Sequence, residues 1–335
     1  MKKQATILEV DNLSVDFLVE GSWVSAVNNV SFSLEEGEIL ALVGESGCGK
    51  SVTCLSLAKL VDNTVGRYSS GTIKLRDTYG GQNILDLKKR QLREIRGKKI
   101  GYIFQEPSVS LNPVYKVGDQ VAEAITNNRK DVVNVKDEII SLFKLVGISE
   151  PEQRIYCYPH ELSGGMQQRV MIAMALAGKP DILVADEPTT ALDVTIQAQI
   201  IKLLYDIREK TNMSIIIVSH NLGVVSELAD KIIVMYAGQM VEQAPISKIL
   251  KLKHPYAKAL LKAIPRIGHS GDELTSIPGN VPSPGNYPQG CRFHNRCQIF
   301  NNLTEELQTK CIQNLPDLKE YDDASFCRCH FINIT

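Results

Sequence analysis

Three groups of residues in this 335-residue chain have types and spacings that could do chemistry. The first is the run Gly44, Glu45, Ser46, Gly47, Cys48, Gly49, Lys50, Ser51, which matches G-x-x-x-x-G-K-[S/T]. Its glycines let backbone N–H groups converge on phosphate oxygens, and a helix starting at its end adds a favourable dipole. Lys50 would then reach β- and γ-phosphates, and the Ser51 hydroxyl would ligate Mg²⁺. The second group is the acidic pair at the end of "ILVADE". Asp186 would hold the same Mg²⁺ through water, and Glu187 stands where it could polarise an attacking water as general base. The competing reading is a solvated strand end. The third group is cysteine: five of eight fall in the last 45 residues, at 291, 297, 311, 327 and 329. Their spacing is neither the paired C-x2-C of a zinc ribbon nor a redox C-x-x-C. By ligand type four of them suit zinc or an iron–sulfur cluster equally, and packing of thiols in a small subdomain is the plain alternative.

These groups need elements to position them. "EILALVG" reads as a buried strand running into the glycine-rich turn, and "SVTCLSLAKL" has helical spacing. "ILEVDNLSVDF" and "VNNVSFSL" alternate and read as strands, as do the apolar runs "KKIGYIF", "DILVADE", "SIIIVSH" and "KIIVMYAG". Helical patterning covers 114–160, "SGGMQQRVMIAMALAG" and "DVTIQAQIIKLLYDIREK". Strands alternating with helices predict an α/β fold with a parallel sheet. After Ala244 a short helical piece, "PYAKALLKAI", leads into the Pro/Gly-rich "SIPGNVPSPGNYPQG", a linker or extended crossing segment.

Composition excludes several classes. With 37 basic and 38 acidic residues the chain lacks the electrostatic footprint of a nucleic-acid binder. No apolar run has the length of a signal peptide or a bilayer span, so a reducing, cytosolic setting is expected. Disulfides are not expected there, which leaves metal binding or burial for the cysteines.

The set resembles a family. "LSGGM" at Leu162–Met166, with Ser163, Gly164 and Gly165, resembles the signature of ATP-binding-cassette (ABC) ATPases, and Gln105, Asp193 and His220 match that family's remaining motifs. "FQEPSVSLNPVYKVGDQ", "DEPTTALDVTIQAQI", "VMYAGQMVE", "HPYAKALL" and "IPGNVPSPGNYPQGCRFHNRC" narrow it to ATPase subunits of bacterial oligopeptide and dipeptide importers, with nickel importers close by. The family pattern has Gln where Glu161 stands, and commonly Ser at Cys48.

The resemblance implies a P-loop ABC nucleotide-binding domain over 1–245, with a helical subdomain at about 107–163, and a C-terminal extension over 246–335. It implies ATP and Mg²⁺ as ligands, Mg²⁺ being held by Ser51, Asp186 and Gln105. Gln105 also contacts the lytic water, and His220 clamps the γ-phosphate. Ser163, Gly164, Gly165 and Asp193 belong to the nucleotide set, the signature serving ATP held by another subunit. Phe17 occupies the adenine-stacking position, or is a core strand residue. Cys291, Cys297, Cys311 and Cys329 are implied to hold a [4Fe–4S] cluster, with zinc as alternative and Cys327 spare; an insertion precedes Cys311. The implied partners are a second, different ATPase subunit, two transmembrane permease subunits and an extracytoplasmic peptide-binding protein, with no nucleic acid. The implied location is peripheral, on the cytoplasmic face of the bacterial inner membrane. A metal-chelate cargo, or a soluble DNA-repair-type ABC ATPase, are the other readings; the latter is disfavoured by the absence of a basic excess and of an inserted coiled coil.

Overall fold

The computed structural model of the chain describes residues 5–190, 192–263 and 277–332. Its strands are β1 (Thr6–Val19), β2 (Ser22–Glu35), β3 (Ile39–Val43), β4 (Gly66–Leu75), β5 (Ile100–Ile103), β6 (Ile182–Asp186), β7 (Ser214–Ser219), β8 (Lys231–Tyr236), β9 (Gln239–Pro245), β10 (Lys319–Asp322) and β11 (Ser325–Cys327). Its α-helices are α1 (Lys50–Leu57), α2 (Lys89–Ile95), α3 (Pro107–Ser110), α4 (Val117–Asn128), α5 (Val135–Leu145), α6 (Pro151–Arg154), α7 (Gly164–Leu176), α8 (Val194–Thr211), α9 (Leu222–Ser226), α10 (Pro255–Lys262) and α11 (Glu305–Gln313). Two compact units result. One comprises Ala5, Glu35–Glu38 and Asp86–Val218; the other comprises Thr6–Leu34, Ile39–Leu85 and the described residues from Ser219 onward.

In the first unit β7, β6 and β5 run parallel, with Ile182 opposite both Ile100 and Ser214. Every residue of β6 and β7 is buried. Continuous apolar runs are what a parallel strand covered on both faces requires, and each buried Ile or Val contributes about 1.5–3 kcal/mol. Two helices carry apolar stripes. On α4 the buried Val117, Val121 and Ile125 recur every fourth residue, and α5 buries Ile139, Leu142 and Phe143. Both helices pack on each other and on α7. Asp193 caps α8 by accepting the Ile196 amide, and Asn212 ends it in the left-handed conformation at φ 55°.

In the second unit β3 lies parallel to β8, which turns back through Ala237 and Gly238 into β9. Both turn residues have positive φ, 47° and 78°, as the two-residue hairpin that matches strand twist demands. A tail hairpin extends this sheet: β11 pairs antiparallel with β9, and β10 with β11. A separate antiparallel sheet has the order β2, β1, β4.

The observed strands and helices include those read from the sequence. The structure adds β4, β9, β10 and β11, which the sequence reading did not name. The Pro/Gly-rich stretch from Ile277 to Gly290 holds neither helix nor strand. Its first expected residue, Ser276, and the last of the preceding helical piece, Ile264, lie outside the described residues. The described part of 246–335 belongs to the same compact unit as β1 to β4.

Candidate functional site

The phosphate loop lies in the second unit, between β3, all five residues of which are buried, and α1. Gly49 ends the loop at φ 103°, and an added Cβ there would stand 2.9 Å from the Ala26 carbonyl oxygen. Only glycine fits both the backbone and the space. Lys50 is buried, and its ammonium donates to the carbonyls of Gly44 at 2.7 Å and Glu45 at 2.9 Å. The lysine thus folds over its own loop, satisfying its charge with carbonyls that polyphosphate oxygens would replace. Ser51 follows as the second residue of α1. Cys48 is buried, and burial raises its thiol pKa, with Lys50 acting the other way.

Glu45 is held at every polar point. Its N–H donates to the Tyr256 hydroxyl at 2.8 Å, its carbonyl accepts from Lys50, and its carboxylate accepts two bonds from Arg296, at 2.7 and 2.9 Å. Sequence reasoning missed Arg296 and Tyr256; no local signal connects them to a loop more than 200 residues away. Elsewhere in this unit, Phe17 of β1 is half-buried beside Gly66 of β4, its register partner. His220 is exposed, directly after β7.

The acidic pair lies in the first unit. Asp186 ends β6 and is buried, and the Tyr102 hydroxyl stands 3.4 Å from its Oδ2. Glu187 leaves the strand in the left-handed region, at φ 45°. Such backbone strain costs about 1–3 kcal/mol and collects at working residues. Its N–H donates to the Val218 carbonyl at 3.1 Å, which pins the strained residue to β7. Its Oε2 accepts from Gln105 Nε2 at 3.2 Å and Thr190 Oγ1 at 2.8 Å. Gln105 and Glu187, both singled out in the sequence, are therefore brought together. Thr190 was not singled out.

Ser163 caps α7, its hydroxyl accepting the Met166 amide at 3.3 Å, and Gly164 and Gly165 open that helix. The first amides of a helix have no intrahelical partner and lie at the positive end of its dipole. Asp193 likewise serves as a cap, accepting from Ile196 at 2.9 Å.

In the tail, Cys291, Cys297, Cys311 and Cys329 line one cavity of about 20 Å³, together with His254, His294 and His330 among other residues. Cys327 does not: it sits on β11, paired with Glu242 of β9. Burial pushes the Cys291 thiol up to about 12 and Cys329 up to about 11, and the neighbouring thiols add to the rise in both. Among the described residues, however, no three His, Cys, Asp or Glu side chains stand in an arrangement that holds an ion. The cluster or zinc expected from the sequence is not matched by the present arrangement of the thiols. A cavity of this size takes about one water molecule, less than a [4Fe–4S] cluster fills.

A buried strand, a lysine-ended glycine loop and a helix have the form of a nucleotide-phosphate site, and the acid–glutamine pair has the chemistry a hydrolytic site would need. Comparison with known proteins shows the family. Residues 27–190 match the family model described as ABC transporter, and 241–302 match the model described as oligopeptide/dipeptide transporter, C-terminal region. The oligopeptide transport ATP-binding protein AppD of Bacillus subtilis is 44% identical over 327 residues, covering 97% of this chain and 96% of AppD. The chain belongs to the ABC transporter family. The dipeptide transport ATP-binding protein DppD of the same organism is 46% identical over 293 residues, 87% of this chain and 86% of DppD. Among solved structures, the dimeric ATP-binding cassette MJ0796 bound to ADP and Pi matches with TM-score 0.64 at 26% identity, covering 72% of this chain and 99% of that one. The CbiO1 subunit of Clostridium perfringens matches with TM-score 0.64 at 27% identity, covering 79% and 98%. The chain is thus an ABC ATPase, with ATP and Mg²⁺ as the ligands of its fold. No helix among its described residues is long and apolar enough to cross a membrane.

Proposed function

We propose that this ABC ATPase hydrolyses ATP to drive import of di- or oligopeptides through a membrane complex. The observation that carries the hydrolytic half is the glutamate after β6, strained in its backbone and held between Gln105 and Thr190. The peptide half rests on the match of 241–302 to the oligopeptide/dipeptide C-terminal region and on the relatives named for peptide transport.

In this reading Lys50 leaves the carbonyls of Gly44 and Glu45 for the β/γ-phosphates, and Ser51, Asp186 and Gln105 hold Mg²⁺. Glu187 takes a proton from the attacking water, and His220 contacts the γ-phosphate. Phe17 stacks on adenine. Gly44 to Ser51 supply the cradle, while Ser163, Gly164, Gly165 and Asp193 act on ATP bound to a second, different ATPase subunit. The ATP-binding domain spans 1–245, with its helical subdomain at about 107–163, and the extension spans 246–335. Two permease subunits provide the path across the membrane, an extracytoplasmic protein delivers the peptide, and the ATPase sits on the cytoplasmic face.

A surface for the permease supports this. In the first unit Gly101, Tyr102, Phe104, Leu111, Met171 and Met174 line a cavity of about 210 Å³. Phe104 is 44% exposed, and Val109 and Val114 more than 70%. Exposed apolar surface beside an apolar cavity suits a partner site. The isolated chain is expected to hydrolyse ATP slowly, and the permeases with the partner ATPase to raise the rate well above the sum of the parts. Phe104→Asp is expected to remove most of that rise without changing nucleotide affinity. A monomer with full, concentration-independent activity would rule the assembly out.

The four thiols are assigned a structural metal, a [4Fe–4S] cluster ahead of zinc. Their sulfurs suit it: backbone amides of Phe293, of Ile299 and Phe300, and of Phe331 bond to Cys291, Cys297 and Cys329. Amide bonds to sulfur favour the thiolate form a metal needs. A cluster requires these thiols to part; a single zinc requires less. When bound, the group would close the loop from Cys291 to Cys329 and supply no step of ATP hydrolysis. Chains purified without oxygen are expected to contain iron and acid-labile sulfide. Zinc without sulfide would select the single ion, and no metal would leave thiols packed in an apolar pocket.

A further inference from the structure

We propose that Arg296, together with Tyr256, is a positioning residue for the phosphate loop, so that the C-terminal tail sets the affinity of the site for nucleotide. This rests on reading Gly44–Ser51 as the nucleotide loop. Glu45 lies inside that loop and carries a carboxylate, beside the place where a polyphosphate of several negative charges must sit. Left alone it would repel the ligand. Arg296 faces it with two parallel N–H···O bonds, at 2.7 Å to Oε2 and 2.9 Å to Oε1. This fork geometry is the strong form of a charge-assisted pair.

The guanidinium side chain is only 6% exposed, against 31% for Glu45. It is held from every side. Nε donates to the Pro278 carbonyl at 2.7 Å, and Nη2 donates to the Gly279 carbonyl at 3.0 Å. Nη1 reaches the Tyr236 hydroxyl at 3.4 Å. A cation so placed neutralises Glu45 without swinging toward the phosphates itself.

Tyr256 fixes the backbone of the same residue through the bond from the Glu45 amide. Its ring is fully buried, 4.7 Å from Tyr236 and 5.3 Å from Phe293. Phe293 and Arg296 both lie between Cys291 and Cys297, so one short tail segment supplies an aromatic support and a counter-charge. The counter-charge reaches Glu45 directly, and the aromatic support reaches it through Tyr256. The tail therefore does two things for the site: it removes a repulsive charge, and it holds the Glu45 peptide so that its carbonyl can dock Lys50 when nucleotide is absent.

The test is equilibrium titration of the assembled complex with a fluorescent ATP analogue, together with KM and kcat. Arg296→Met is expected to weaken binding by about tenfold, from the uncompensated charge, while kcat at saturating ATP stays within about threefold. Adding Glu45→Gln to Arg296→Met is expected to restore most of the affinity, because the repelling charge is gone. A purely structural role would lower the melting temperature and kcat together and would not be rescued by Glu45→Gln. Should Arg296→Met fail to fold, Arg296→Lys keeps the charge but loses the fork, and is expected to weaken binding by about threefold. Wild-type affinity in a folded Arg296→Met or Arg296→Lys chain, or no recovery in the double variant, overturns the proposal. A wild-type complex that binds no ATP overturns instead the reading of the loop.

Discussion

A complex carrying Glu187→Gln is expected to bind ATP as the wild type does and to turn it over about 10²–10⁴ times more slowly, the usual contribution of a general base. Glutamine keeps the length and planarity of the side chain. It can still accept from Thr190 Oγ1, which bonds Oε2 at 2.8 Å, so the loop after β6 should keep its shape. What it cannot do is take a proton. The strained backbone sharpens the test, since φ at 187 is set by the chain and by the Val218 carbonyl and not by the carboxylate. Single-turnover hydrolysis and nucleotide affinity, measured on the same preparation, separate chemistry from binding. Near-normal turnover would remove Glu187 from its role, and Asp186, whose carboxylate lies beside the Tyr102 hydroxyl, would become the next candidate.

Lys50→Ala should give the opposite pattern. A buried ammonium bonded to the Gly44 and Glu45 carbonyls is already desolvated and poised one side-chain rotation from the phosphates. Losing a charge-assisted contact of this kind costs about 1.5–3 kcal/mol, so affinity is expected to fall about 10- to 150-fold. The loop also loses an internal tie, because alanine leaves the Gly44 and Glu45 carbonyls without that donor. A small rise in melting temperature on adding ATP, against a large one for the wild type, reports the loss directly. Unchanged affinity would mean that the lysine closes the empty loop and nothing more.

Much of this was legible in the sequence because it is local. The strand–loop–helix around Lys50 declares itself through a buried apolar run, glycines at fixed offsets and a helical period. β6 and β7 are legible for the same reason, being apolar from end to end. The hairpin of β10 and β11 is not. "KEYDDASFC" is charged and short, and its strands exist because β9 offers an edge to pair with. The choice of Cys329 over Cys327 came through family likeness alone, with nothing local to indicate it. In an unbroken strand residues two apart share a face, but β11 stops at Cys327, and Cys329, beyond its end, lines the cavity while Cys327 does not. The Gln105–Glu187 contact could be anticipated only through family likeness. The Arg296–Glu45 pair could not be anticipated at all, since a buried arginine finds its carboxylate through the fold and not through any pattern near it.

That last pair has a consequence for how the protein is made. Glu45 and Arg296 are 251 residues apart. At a ribosomal rate of about 5–20 residues per second, roughly ten to fifty seconds separate their appearance. During that interval the phosphate loop has left the ribosome with its carboxylate unmatched and its Glu45 amide without Tyr256. A nascent or prematurely terminated chain would therefore carry a complete phosphate-loop sequence and yet hold nucleotide weakly. Full affinity for ATP would arrive only once the segments carrying Tyr256 and Arg296 have been made and folded.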